Sequence, residues 1–341
     1  MIAQPEIPTN EHRAEPESAA GTPRLSVREL RHAFGRNEVL NGLTFDVRPG
    51  EVFGMLGPNG SGKSTAMAIL SGILPLQDGR LLVDGTALTP NDRRWREDLG
   101  VIFQSPSLDA KLTAVENLKL AAALYGIKGA DAKRRIDEQL AGVGLESRAK
   151  EPVGNYSGGM KRRLDIARAL LHEPSILFMD EPTAGLDEAS FRRAWERLDA
   201  MRQERGLTII LATHRPEEAD KCDRLAILRG GKADLIDTPQ ALRERISTDM
   251  IALVADDLEP LRDQIRERFG LEALVDAGEL LIECEKGHEI IPRLVEAFPE
   301  GRFKSVSLRQ ASLADVFLKI TGFALDDDQP AAPDGSEAAD A

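Results

Sequence analysis

Nine consecutive residues, Gly57, Pro58, Asn59, Gly60, Ser61, Gly62, Lys63, Ser64 and Thr65, have the types and spacing to hold a nucleotide's phosphates. They fit G-x-x-x-x-G-K-[ST], the phosphate-binding loop. The glycines let successive backbone N–H groups turn toward one anion, and a helix N-terminus behind them adds partial positive charge. Lys63 would reach the β- and γ-phosphates, and Ser64 would offer its hydroxyl to Mg2+. The flanks suit that chemistry. Val52 to Leu56 reads as a buried strand, and Ala66 to Leu70 as the first turns of a helix.

A second run, Ile176-Leu177-Phe178-Met179-Asp180-Glu181, is an apolar strand that delivers two carboxylates to its C-terminal end. Open α/β sheets bind ligands at that edge. Asp180 can hold Mg2+ through water. Glu181 points elsewhere and can polarise an attacking water. A third run is Asn155-Tyr156-Ser157-Gly158-Gly159-Met160, followed by apolar residues at helical spacing: Leu164, Ala167 and Leu171. Ser157 can cap that helix, and Gly158 and Gly159 leave its backbone open to a ligand. Lys161, Arg162 and Arg163 stand in the first turn, where cations oppose the helix dipole. Either an anion docks there, or the three side chains are simply solvated.

These runs need a layered scaffold. From about 24 to 246, strand-like runs alternate with helical stretches, which predicts an α/β domain. Strands are expected at Val52–Leu56, Val101–Phe103, Ile176–Met179 and Thr208–Ala212, with a hairpin about Gly230-Gly231. Residues from about 107 to 171 read as a helical insert. From about 248 to 323 the pattern restarts and alternates three strands with three helices, a small α+β domain. Residues 1 to about 23 are Pro- and Glu-rich and read as a disordered arm; 326–341 read as an acidic tail.

Composition narrows the function classes. The 341 residues are 42% hydrophobic and carry a formal net charge of -13. That balance disfavours general nucleic-acid binding, which runs on cationic surface. No apolar run approaches the length of a bilayer span, and Cys222 and Cys284 suit a reducing compartment, so a cytoplasmic location is expected.

The order of motifs resembles the ATP-binding subunit of ABC transporters over about residues 24 to 323. The resemblance implies a P-loop NTPase fold, an ABC-type nucleotide-binding domain with a helical insert, and ATP and Mg2+ as cofactors. It implies that Phe34 stacks on adenine and that Gln104 senses Mg2+ and meets the membrane subunit. Tyr156 to Met160 matches the signature usually written L-S-G-G-Q. Ala184-Gly185-Leu186-Asp187 matches the loop after the second nucleotide motif. His214 matches the histidine that contacts the γ-phosphate. Tyr-Ser-Gly-Gly-Met, like Ala311 to Leu318, resembles the ABC-2 exporter branch, which includes daunorubicin-resistance-like and nodulation-factor-export-like subunits. Met160 removes the amide donor usual at that position; Ser157, Gly158 and Gly159 remain.

The family further implies a head-to-tail homodimer, or a pair with another ATPase subunit, and a separate integral-membrane permease on whose cytoplasmic face the chain sits. The insert is expected to dock that permease through Leu108 or Tyr125. The rival expectation is a soluble ABC-type ATPase. Such factors usually carry two nucleotide domains or a long coiled coil, and neither is present. Glu181 and His214 argue against a regulator that does not hydrolyse.

Overall fold

The computed structural model describes residues 21–88, 93–183, 185–245, 249–276, 278–298 and 301–321. Most of the N-terminal arm, the acidic tail, Ala184 and the boundary at 246–248 lie outside the described residues.

The first elements are two long strands, β1 (Leu25–Phe34) and β2 (Asn37–Val47), paired antiparallel. Their apolar residues alternate inward: Leu25, Val27, Leu40, Leu43 and Phe45 are buried. The pairing slips near Glu29, which has a φ of 49°, so a bulge re-aims the end of β1. β3 (Val52–Leu56) follows and leads through the phosphate loop into α1 (Lys63–Leu70). β4 (Asp78–Val83) and β5 (Thr86–Ala87) extend the first sheet, whose order is β2-β1-β4-β5. This antiparallel sheet was not legible as strands in the sequence, because its exposed face is charged and breaks up the apolar pattern.

After α2 (Arg93–Glu97) comes β6 (Leu99–Ile102), starting two residues and ending one residue before the expected Val101–Phe103. The helices α3 (Ala114–Leu124), α4 (Gly129–Gly142) and α5 (Gly158–Leu170) form a body with its own core, in which Leu118, Leu140, Tyr156 and Leu164 are buried together. Next come β7 (Ile176–Asp180), α6 (Glu188–Arg205), β8 (Thr208–Thr213), α7 (Pro216–Ala219), β9 (Arg224–Arg229) and β10 (Lys232–Asp237).

The second sheet runs β10-β9-β3-β8-β7-β6, parallel except for the β9–β10 hairpin. Every residue of β3, β7 and β8 is buried. Both faces of these strands are covered, which is why each reads as an unbroken apolar run and not an alternating one.

α8 (Pro239–Glu244) precedes a third sheet. β11 (Asp249–Val254), α9 (Leu258–Phe269), β12 (Ala273–Asp276), β13 (Glu279–Cys284), α10 (Gly287–Ala297), β14 (Ser305–Gln310) and α11 (Leu313–Thr321) complete the described elements. The sheet order is β12-β13-β11-β14. Its two faces have different owners. Ile251, Leu253, Leu280 and Ile282 pack with α9 and α10. Met250, Ala252 and Leu281 join Val316 and Phe317 of α11 in the core that also holds Ala219, Leu225 and Leu242. Period-two alternation along β11 and β13 thus seats the C-terminal unit on the nucleotide domain.

Candidate functional site

The sheet order places the motifs side by side. Adjacent strands β3, β8, β7 and β6 end, in that order, at the phosphate loop, His214, the Asp180–Glu181 pair and Gln104. All four ends are the C-terminal ends of parallel strands, where unpaired backbone and helix N-termini face a ligand.

The phosphate loop wraps the start of α1. Gly62 caps the helix with a φ of 100°, and a Cβ there would stand 2.7 Å from the Leu40 side chain. Only glycine suits both the angle and the approach. Lys63 is buried, and its Nζ donates to the carbonyls of Gly57 (2.7 Å) and Pro58 (2.8 Å). Burial pulls its pKa down to about 8, although the carboxylates of Glu181 and Asp180 pull the other way. An ammonium short of counter-charge facing a cleft is suited to a phosphate. The cleft has an internal volume of about 140 Å³ and is lined by Val39, Asn59, Gly60, Gly62, Lys63, Ser64, Thr65, Gln104 and Glu181.

Glu181 links three strand ends. Its Oε1 lies 2.7 Å from His214 Nδ1, and its Oε2 accepts from Gln104 Nε2 at 3.3 Å. Asp180 is buried, and burial raises its carboxyl pKa; a hydrogen bond with the Ser64 hydroxyl opposes that shift and the neighbouring Glu181 charge adds to it. Asp180 Oδ1 is buried with no hydrogen-bond partner. A carboxylate held this way fits a divalent cation, which would satisfy the orphan oxygen and remove the desolvation penalty. Among the described residues no group of three or more His, Cys, Asp or Glu could hold a metal alone. Mg2+ does not need one, because it is commonly held by one or two carboxylates and the phosphates themselves.

The other expected residues lie apart from this cleft. Phe34, at the end of β1, is 52% exposed and meets His32 edge-on at 4.7 Å between centroids. It is not a core residue, and its ring is free to stack. Ser157 caps α5 by accepting from the Met160 N–H at 3.3 Å. Ser157 and Gly158 are exposed, and neither they nor Gly159 line the cleft. Asp187 caps α6: its carboxylate accepts from the Ser190 N–H at 2.8 Å, a bond that lowers its pKa. It too stands outside the cleft lining. Tyr156 is buried in the insert core and its hydroxyl donates to the Arg148 carbonyl at 2.7 Å, so the unusual first signature residue serves packing.

One expectation needs correction. Lys161, Arg162 and Arg163 are not three solvated chains, and Arg162 is turned inward, away from any anion at the helix start. Arg162 is almost wholly buried, and its guanidinium donates to the carbonyls of Phe103, Asp180, Glu181 and Pro182. Arg163 donates to the Val143 carbonyl at 2.8 Å. Helical spacing alone could not separate an inward cation from an outward one. In the insert, Leu108 packs against the local core and Leu118 belongs to it, whereas Leu120, Leu124 and Tyr125 are exposed. Tyr125 also stacks on His172, centroids 3.6 Å apart.

Comparison with known proteins gives the same picture. The family model described as ABC transporter matches residues 40–184. The chain is 36% identical over 300 residues to Nod factor export ATP-binding protein I of Cupriavidus metallidurans, covering 87% of this chain and 97% of that one. It is 34% identical over 311 residues to linearmycin resistance ATP-binding protein LnrL of Bacillus subtilis, covering 89% and 100%. Among solved structures, a dimeric post-hydrolysis state of the ATP-binding cassette MJ0796 bound to ADP and Pi is similar with a TM-score of 0.58. That likeness comes at 27% identity, over 63% of this chain and 98% of the cassette.

Proposed function

The chain belongs to the ABC transporter ATP-binding subunits, in the ABC-2 exporter branch, and hydrolyses ATP; from that premise we propose that two copies close head to tail to drive a separate membrane permease. One observation carries the dimer. The cleft at Lys63 and Glu181 opens to solvent, while the capped helix start at Ser157 and Gly158 is exposed and does not line that cleft. Each copy offers what the other lacks, which is the logic of a closed two-fold pair.

The chemistry follows from the residues at the strand ends. Lys63 and the loop N–H groups hold the β- and γ-phosphates. Ser64 and Asp180, with Gln104 nearby, would hold Mg2+, which neutralises charge on the phosphate oxygens. Glu181 orients a water for attack on the γ-phosphorus and takes up its proton as the bond to ADP breaks. His214, bonded to Glu181 Oε1, fixes that carboxylate and reaches toward the γ-phosphate. Gln104 restrains the other oxygen. Hydrolysis removes the bridge between the two copies, and like charge on the acidic subunits then helps them part.

Ser157→Arg tests the composite site. Nucleotide titration should find unchanged ATP affinity in the monomer, while hydrolysis is lost because the arginine obstructs the partner's nucleotide. Equal loss of monomer binding would sink the reading. A second test concerns the base. Phe34→Ala should weaken ATP by about 1–3 kcal/mol, as base stacking on aromatics does elsewhere, and Phe34→Tyr should be nearly neutral.

No helix among the described residues is long and apolar enough to cross a membrane. In this reading the permease is a separate chain, and the subunit sits on its cytoplasmic face. Leu120 and Leu124 stand one turn apart on α3, the latter 79% exposed, and with Tyr125 form an apolar patch on the insert. Charge there would desolvate an unpaired group against a permease segment. Leu124→Glu with Leu120→Glu should abolish export in membranes and leave basal ATPase of the isolated subunit intact. Full transport by the double variant would place docking elsewhere.

A further inference from the structure

We propose that Arg162, the fifth residue of α5, is a positioning residue for Glu181, holding the backbone on which that carboxylate stands. The inference rests on the reading of Glu181 as the residue that activates water. The strand ladder holds little of the segment concerned. β7 ends at Asp180, and beyond it the ladder contributes one bond, from the Glu181 N–H to the Ala212 carbonyl at 2.9 Å. Glu181 has a φ of 47°, a left-handed conformation that a non-glycine residue keeps only when its surroundings over-determine it.

Arg162 supplies that restraint. Its Nη2 donates to the carbonyls of Asp180, at 3.0 Å, and of Glu181. Its Nε donates to the Pro182 carbonyl at 2.5 Å, and its Nη1 to the Phe103 carbonyl, next to Gln104. One fork therefore ties both sides of the Glu181 carboxylate, the strand end that carries it and the loop that carries its amide partner. Asp165, one turn on, stands 3.9 Å from the guanidinium and accepts from the Ser107 N–H at 3.3 Å, steadying the same loop. From the opposite side, Glu218 on α7 accepts from the N–H and hydroxyl of Thr183. A lysine cannot reproduce the arrangement, since a point charge lacks the planar fork that meets several carbonyls at once.

Arg162 also sits on the helix capped by Ser157. In the proposed dimer, the N-terminus of α5 faces the partner's nucleotide. A shift of that helix on closure would reach Glu181 through one rigid side chain.

The test is a double-mutant cycle in the full chain, by steady-state kinetics and single-turnover assays with ATP. Arg162→Lys should lower kcat about tenfold and Arg162→Met further, with KM and monomer ATP affinity within about threefold of wild type. In a Glu181→Gln background, neither substitution should lower the residual rate more than about twofold, because there is no longer a carboxylate to misplace. The same fold-loss in both backgrounds would overturn the proposal, and so would wild-type kcat in Arg162→Met. If Arg162→Met does not fold, Arg162→Lys decides by the same cycle. Near wild-type turnover in Glu181→Gln alone would instead overturn the role of Glu181, and with it this proposal, whatever Arg162 does.

Discussion

Glu181→Gln should bind ATP as the parent does and turn it over about 10²- to 10⁴-fold more slowly, the range lost with a general base. The substitution is nearly isosteric. It keeps an acceptor for the His214 ring and alters neither the phosphate loop nor Asp180. What it loses is an oxygen able to take a proton from water. It also removes one negative charge beside the γ-phosphate and beside Lys63. The ATP-bound dimer, in which repulsion between that carboxylate and the γ-phosphate is gone, should therefore accumulate. Light scattering with ATP should give twice the monomer mass, and the species should persist where the parent relaxes to monomer. A variant that hydrolyses at the parent's rate would remove Glu181 from the chemistry. A variant that is slow yet never dimerises would leave the base assignment standing and remove the composite site.

The second large effect is on binding. Lys63→Ala should cost about 2–5 kcal/mol of ATP affinity, the range seen when one partner of a buried, hydrogen-bonded charge pair is truncated. The Gly57 and Pro58 carbonyls would also lose their donor, so the empty loop should loosen. The low pKa adds a pH signature. With its pKa near 8, Lys63 is half deprotonated at that pH in the free protein. Bound triphosphate stabilises the ammonium and raises its pKa, so from about pH 7 upward binding takes up a growing fraction of a proton. The sign follows: affinity is independent of this group below about pH 7 and falls as pH rises, approaching about tenfold per pH unit well above pH 8. Calorimetry in buffers of different ionisation enthalpy would detect the uptake. Lys63→Ala should abolish it. A flat affinity profile from pH 7 to 9.5 in the parent would mean that Lys63 does not meet the phosphates as a titrating group.

Much of the site was legible in sequence because its chemistry is packed into short runs. The phosphate loop spans residues 57–65, and its geometry is dictated by glycines and a following helix that are neighbours in the chain. Asp180 and Glu181 announce themselves by following four apolar residues. Ser157 does so by preceding a helical repeat. In the C-terminal unit the period-two and period-3.6 patterns predict three strands and three helices, and the structure adds a fourth strand, β12, whose four residues are too few to show a period. The antiparallel sheet of β1, β2, β4 and β5 was not legible. Charged residues fill its outer face, and a bulge at Glu29 breaks its alternation.

What local pattern determined about this protein is thus the identity of its reactive groups and the kind of element each stands on. Tertiary structure alone decided how they meet. Strand order is a matter of long-range pairing, and only the order β3-β8-β7-β6 sets Lys63, Glu181 and Gln104 around one cleft, with His214 bonded to Glu181. The same holds for direction. Leu118 and Leu120 are alike in sequence, yet one is core and the other surface, because a helix turns about 100° per residue and only packing chooses which face is covered. Arg162 is the clearest case. It reads as one of three consecutive cations at a helix start, but its partners lie 18 to 59 residues away, on β7 and beyond β6. Burying a guanidinium is favourable only where enough carbonyls converge on it, and that convergence exists only once the sheet and α5 have come together.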